Sequence, residues 1–457
     1  MKKNIDMVRG PLYSGILRYT IPIILTSVLQ LLFNATDLVI VGRYCGSISV
    51  AAVSATSAIT HLIVTLFTGL SVGAGVAVAH GLGGKQDDEV HRTVHTALPT
   101  ALLGGAILTI VGVIFADDFL RLMKTPENVL TLSTVYMRIY FSGMVFTMVF
   151  NFCASILRAA GDSNSPLKFL SIAGLINVFL NIIFVTLLGM NVDGVALATI
   201  ISQCFSAAMV VIALIRRTDA CKLTLKKIRF YRKQLFKMIR IGLPAGIQGS
   251  LFSISNVIIQ SSINSFNLDA IMSGSGAASN IEGFVFVIMD GFSQTAVNYT
   301  GQNAGAHRFD RIKKIYALCL GYVSLFGIIS GFLAWFFGES LLSIYITDSP
   351  EAITYGITRL TYLALPYFLC GALNVTTGAL RGLGSSVAPM IISVLGVCGL
   401  RIAWIYTIFE IPQYHTLSCL FISYPISWII TFLVEFVAFV FLFSRRSRAD
   451  RLLPNQI

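Results

Sequence analysis

Long apolar stretches separated by short polar ones run the whole length of the chain. A helix needs about 20 mostly apolar residues to cross a 30 Å hydrocarbon core. Twelve stretches meet that length, at 16 to 41, 48 to 80, 93 to 115, 129 to 156, 167 to 189, 193 to 215, 238 to 264, 270 to 303, 312 to 337, 352 to 380, 387 to 409 and 416 to 443. No soluble domain remains once these are removed, so the pattern predicts an all-α membrane protein with twelve transmembrane helices. The first stretch follows Lys2, Lys3 and Arg9. It is too long for a signal-peptide core and lacks a small-residue cleavage pattern, so it reads as a retained helix.

Composition agrees: of 457 residues, 55% are hydrophobic and 12% charged, against about a quarter charged in a soluble domain. A net charge of +12 raises the question of nucleic acid, and the placement of the basic residues answers it. Segments expected on the cytoplasmic side, counted with the adjoining ends of the spans, hold 27 of the 33 Lys and Arg, densest from Arg216 to Arg240. The outer connections hold only Arg43, Arg121 and Lys124, and Arg138, Arg359 and Arg401 lie deeper within spans. This asymmetry places both termini in the cytoplasm and makes the charge topological rather than a nucleic-acid surface. Anionic lipid headgroups are a secondary partner for it. The eight cysteines form no CxxC pair and fall mostly inside spans, as small core residues do.

The chain also repeats itself. Asn151, Leu157, Arg158, Gly161 and Pro166 recur as Asn374, Leu380, Arg381, Gly384 and Pro389, with identical spacing at an offset of 223. At 222, Pro22 matches Pro244, Asn34 matches Asn256, Ser57 matches Ser279 and Gly83 matches Gly305, whereas Gly81 falls on Asn303. Each half contains an even number of spans, so the copies share one orientation and form a parallel repeat. The expected organisation is a six-helix bundle over 1–215, a basic linker over 216–237 and a second bundle over 238–457. A cavity between the halves, opened alternately to each side, is the physical expectation.

Within this frame Asp37 is out of place, because an ionised Asp at a bilayer centre costs roughly 2.5–3.5 kcal/mol on insertion scales. Running outward, the first span places it within about 15 Å of the outer end. Asn177 and Asn181, one turn apart in the fifth span, and Thr199 in the sixth belong to the same outer half. A carboxylate with amide and hydroxyl oxygens suits Na⁺, or a proton held on Asp37. No other metal is expected.

The duplicated LRxxGxxxxP, the GQNAGA at Gly301 to Ala306, the Asn-x-x-Asp of Asn34 to Asp37 and the IGLPAGIQ at Ile241 to Gln248 resemble the multidrug and toxic compound extrusion (MATE) family. The resemblance covers essentially the whole chain and is closest to bacterial branches. It implies a secondary active antiporter in the bacterial plasma membrane, with no cofactor, exporting cationic or amphipathic drugs against Na⁺ or H⁺. It also implies a first-half cation site at Asp37, Asn177, Asn181 and Thr199, with Asn34 beside it. Some members carry a second Asp where this chain has Asn181. A monomer is expected.

The second half carries Ile259 where the repeat would put an acid. Candidate substrate-cavity residues are Gln30, Gln248, Glu282, Asp290 and Arg401; alternatively, Glu282 or Asp290 pairs with Arg401 or carries a second proton. Glu435 reads as a similar satisfied acid. Asn151, Arg158, Asn374 and Arg381 are assigned structural or gating roles, with Gly161 and Gly384 as helix caps. Pro22 and Pro244 free backbone groups inside helices and favour bending. His91 and His95 have zinc-ligand spacing but lack further ligands, and GLGGK at Gly81 to Lys85 lacks the P-loop's first Gly and last Ser or Thr. A lipid-linked saccharide flippase would call for a cavity richer in Arg and Lys, and no Ser/His or paired-Asp arrangement supports an intramembrane enzyme.

Overall fold

The computed structural model describes residues 4–347 and 349–451. Among them, ten helices are long and apolar enough to cross a membrane: α1 (Leu12–Tyr44), α2 (Ser47–Gly83), α3 (Asp87–Ile114), α7 (Asn164–Ile182), α8 (Val192–Ile215), α9 (Arg232–Asn264), α10 (Asp269–Gly305), α11 (Phe309–Phe336), α15 (Val387–Ser393) with its continuation to Phe409, and α17 (Leu417–Arg451). Helix α7 also continues, to Leu187. Two further spans are broken. Helices α5 (Glu127–Ser142) and α6 (Met144–Ala159) meet at 46°, as do α13 (Pro350–Leu363) and α14 (Tyr367–Gly382), which brings the number of spans to twelve. Hydropathy shows each pair as one unbroken run. The breaks fall at Gly143 and just before Pro366, where the regular hydrogen-bond ladder is easily interrupted. Short helices α4 (Ala116–Leu122) and α12 (Gly338–Leu342) follow α3 and α11, and α16 (Leu400–Trp404) lies in the continuation of α15.

The repeat is visible element by element. The bounds of α2 and α10, and of α3 and α11, differ by 222 residues at both ends. The repeated glycines close their helices in the same way. Gly161 (φ 84) donates to the Arg158 carbonyl while Asp162 N–H reaches Leu157 O, and Gly384 (φ 84) and Ser385 do likewise toward Arg381 and Leu380. These are paired hydrogen bonds of a left-handed helix cap. The Gly-rich run at the end of α2 ends in a similar cap with Lys85 at φ 53, so its backbone amides serve the helix end.

Packing divides the chain into two units, Leu25–Ser250 and Met7–Ile24 together with the described residues from Leu251 onward. Helix α1 therefore supplies its first part to the second unit and its remainder to the first, and α9 does the converse.

In the first unit, α9 crosses α2 backbone against backbone. A Cβ added at Gly69 would lie 2.2 Å from Gly246 N, and one at Gly73 would lie 2.1 Å from Met238 O. Gly69 and Gly73 face Gly242 and Gly246, so each helix presents a Gly-x-x-x-Gly pair, as close helix contacts in membranes require. The second unit uses the equivalent positions differently: Thr20 and Thr295 share a 2.7 Å hydrogen bond, and Gly291 receives Ile24. The rest of the first core is filled by side chains such as Phe141, Met148, Phe152 and Leu214. Pro22 and Pro244 lie inside α1 and α9.

The basic linker is pinned to the first unit. Thr224 N–H donates to His95 Nε2 at 2.9 Å, Tyr231 N–H to Thr96 at 3.2 Å, and Lys233 Nζ to Glu89 at 2.7 Å. Cys221 and Leu223 are buried there. His95, stacked on His91, is thus a fastening point for the linker. Arg217 grips Asp219 through Nε and Nη2, one to each carboxylate oxygen. Burial pushes the Asp219 carboxyl up, but the hydrogen bonds and charge of Arg217 outweigh it and hold it below the usual carboxylate range.

Candidate functional site

In the first unit, α1, α7 and α8 bring together Asp37, Asn177, Asn181 and Thr199. Asn181 Nδ2 donates to Asp37 Oδ1 at 2.6 Å and to Asn177 Oδ1 at 3.3 Å. Asn177 Nδ2 reaches Thr199 Oγ1 at 3.4 Å, and Thr199 donates to Val195 O at 3.0 Å. The four residues form one chain of hydrogen bonds. The spacing of four places both amides on one face of α7, and that face is buried. Asp37 is half-buried. Asn34 is exposed on α1 and lies outside this chain.

The buried Asn181 Oδ1 has no hydrogen-bond partner among the described residues. A buried acceptor without a donor is costly, and a cation beside Asp37 would satisfy it. The donor set is all oxygen with one formal negative charge, which fits Na⁺ or a proton and not a softer metal. Two residues turned one above the other on α5, Tyr136 and Tyr140, lie close enough to interact with the Asp37 charge and stack at 6.0 Å. Reading the spans one at a time missed them. The available signal was their spacing of four, which puts two hydroxyl-bearing rings on one face of an apolar span. Beyond Asn181, with only Ile182 between, α7 widens into a π-helical stretch at Ile183–Leu187, and its equivalent in the second unit is Ile405–Phe409. Such widenings are frequent at functional sites.

The second-unit candidates do not assemble as one set. Glu282 is not paired with Arg401. Its partner is Arg359, with Nε to Oε1 at 2.9 Å and Nη2 to Oε2 at 3.0 Å. Arg401 instead donates from Nε to Ser427 at 2.9 Å and lies 3.9 Å over the Tyr424 ring. Rotation about the helix axes decides this, since α10 turns Glu282 toward α13. Asp290 accepts from Gln294 Nε2 at 2.6 Å. Glu435 is fully buried and bonded to Thr377 and Ser393. Gln30 is exposed on α1, whereas Gln248 is buried on α9. Asn151 donates to Thr147 O at 3.0 Å and Arg158 to Ala154 O at 3.3 Å. Asn374 donates to Cys370 Sγ at 3.4 Å, and Arg381 lies within electrostatic reach of Glu435 and Asp290.

Twelve helical spans in a parallel repeat, with a chain of acid, amides and hydroxyl in the first unit, define a polytopic membrane transporter. The MatE family model matches residues 22–183 and again 244–407, once in each half. The chain belongs to the MatE family, whose transporters are ion-coupled. It is 27% identical over 441 residues to the probable multidrug resistance protein YoeA of Bacillus subtilis (strain 168), covering 94% of this chain and 93% of that one. It is 26% identical to the probable multidrug resistance protein YpnP of the same organism, covering 87% and 89%. An outward-facing multidrug resistance MATE family transporter of the MOP superfamily shares the fold with a TM-score of 0.90 at 22% identity, covering 98% of this chain and 99% of that one. These relatives are transporters, not enzymes.

Proposed function

We propose that the chain is a multidrug exporter driven by cation or proton exchange, in which Asp37, Asn177, Asn181 and Thr199 bind the coupling ion. The observation that carries this reading is the unpartnered Asn181 Oδ1 beside the Asp37 carboxylate. Na⁺ or H⁺ entering there neutralises Asp37 and reorganises the Asn181–Asn177–Thr199 chain, which ties α1 to α7 and α8. A change in the tilt of α1 about Pro22 then alters the space available to drug, so ion and drug occupy the protein alternately. The repeat supports alternating access between two lobes. Cationic or amphipathic drugs are the cargo; the Bacillus relatives are probable multidrug resistance proteins. The protein works as a monomer in a bacterial plasma membrane, with both termini in the cytoplasm as the basic-residue asymmetry directs.

The test is uptake of a fluorescent cation such as ethidium into proteoliposomes under Na⁺ and pH gradients imposed separately. One gradient drives uptake in the native chain, and Asp37→Asn abolishes it while preserving the acceptor for Asn181. Undiminished uptake by the variant overturns the role of Asp37. No driven uptake by the native chain under either gradient overturns the exporter reading.

A further inference from the structure

The second unit holds a buried carboxylate for which coupling at Asp37 has no use. Glu435 on α17 is fully buried. Ser393 donates to its Oε1 at 2.6 Å and Thr377 to its Oε2 at 2.8 Å. The repeat places Ala213 at the equivalent position of the first unit, so this acid is peculiar to the second.

The groups around it come from five elements. From α14, the Arg381 guanidinium faces both Glu435 and Asp290 of α10. From α11 comes Tyr316, whose hydroxyl lies 2.9 Å from Thr376. Ser393 closes α15, and α17 contributes Thr431 one turn away. Two carboxylates therefore share one guanidinium. With both ionised, the cluster around Arg381 would hold one negative charge in excess, and low polarity together with like charge favours a proton on one of them. Asp290 is partly exposed and accepts an amide hydrogen from Gln294 at 2.6 Å, which favours its charged form. The partners of Glu435 are hydroxyls, which can turn to accept as readily as they donate. The proton belongs on Glu435.

A structural route leads from this proton to the backbone. Ser423, Ser427, Thr431 and Glu435 follow one another at spacings of four and are all buried, a polar ladder of about 18 Å along one face of α17. Its upper part receives Arg401 Nε at Ser427. At Thr431 it meets Gly396, where an added Cβ would lie 2.2 Å from Oγ1. Gly396 sits in the π-helical stretch Val394–Gly399, which begins directly after Ser393. The first unit has no such stretch there, since α7 is α-helical through Ile182. Ser393 thus joins the acid to the start of a backbone widening found in one unit alone.

We propose that Glu435 is a second proton-binding site, and that Ser393 transmits its protonation to the π-helical stretch Val394–Gly399. The ion proposed for this site is H⁺, since Glu435 is fully buried and each of its carboxylate oxygens already carries a hydroxyl hydrogen bond.

The test is pH-step infrared difference spectroscopy on the full chain in lipid, between about pH 5 and pH 9, with a melting curve for each variant as a check of folding. A carboxylic-acid carbonyl band that titrates in the native chain is lost in Glu435→Gln, kept in Asp37→Asn and moved to lower pH in Asp290→Asn, which leaves Arg381 to Glu435 alone. Identical difference spectra for the native chain and Glu435→Gln overturn the proposal, as does loss of the band in Asp290→Asn alone. Should Glu435→Gln fail to fold, Ser393→Ala keeps the acid but removes a donor to its charged form. The band then appears at a pH higher by about one unit, and no movement counts against the site. The readout is spectroscopic, so it stands or falls independently of transport driven at Asp37.

Discussion

The ion pair between Glu282 and Arg359 joins α10 to α13 inside the second unit, and its energetics follow from its geometry. Both side chains are nearly out of solvent, at 7% and 8% exposure, and both hydrogen bonds of the bidentate pair are formed. The Phe421 ring lies 5.7 Å from the Arg359 guanidinium and keeps water from that side. Glu282→Gln preserves the shape of the side chain but leaves the guanidinium as an uncompensated buried charge. Breaking one partner of such a pair costs about 3–5 kcal/mol, a factor of a hundred to a few thousand in the folding equilibrium. Arg359→Met strands the carboxylate and costs about as much. Replacing both with Met removes both desolvated charges, and such replacements are often neutral or stabilising by about 1–4 kcal/mol. The double variant should therefore be more stable than either single one, which is the reverse of additivity. Reversible unfolding of the purified chain in detergent, followed by tryptophan fluorescence with the three variants in parallel, measures this. Losses that simply add, or a Glu282→Gln variant as stable as the native chain, would show that water reaches the pair and that the burial argument fails.

Other outcomes follow from separate features. Gly73→Ala drives a methyl group into the Met238 carbonyl and forces α2 from α9, so it should lose about 1–3 kcal/mol, while Gly276→Ala, with open space around it, should melt like the native chain. Gly161→Ala places an L-residue at φ 84 with its Cβ 2.4 Å from Ile5 O, and should lower stability by about 1–2 kcal/mol or more, readable as a shift in melting. Asp219 has its folded pKa held below the unfolded value, so the stability it lends the linker is present above about pH 4 and is lost as pH falls through the folded value. Hydrogen-exchange protection of the Cys221 amide, which donates to Asp219 at 3.1 Å, should fall below that pH and fall at neutral pH in Asp219→Asn. Asn181→Ala removes both amide links from the Asp37 set and should weaken ion-driven uptake; because it strands the buried Asn177 Oδ1, it should also lower stability by about 1–3 kcal/mol in the melting curve. Unaltered uptake would place the coupling ion elsewhere.

Hydropathy alone carried the twelve spans, because the thickness of the hydrocarbon core is a one-dimensional requirement on chain length. Spacing alone carried the repeat, down to the two glycine caps, since each copy meets the same backbone demand at φ 84. The grouping of Asp37 with Asn177, Asn181 and Thr199 was also legible: a costly acid stood at the same depth as amides one turn apart. Contacts that depend on how each helix is rotated and on which neighbour it meets were not legible. Glu282 lies in the apolar run of α10 without any mark that α13 rather than α15 and its continuation supplies its arginine. The 46° breaks leave no trace in hydropathy, because bent and straight spans need the same number of apolar residues. Nothing in the apolar run of α1 indicates that its packing passes from one unit to the other after Ile24. That transfer rests on Thr20 meeting Thr295 in one unit and on Phe33 meeting Gly174 and Asp37 meeting Asn181 in the other, while Gly69 and Gly73 meeting Gly242 and Gly246 hold the first part of α9. Close approach between helices is a property of pairs of surfaces, so only the tertiary structure decides it.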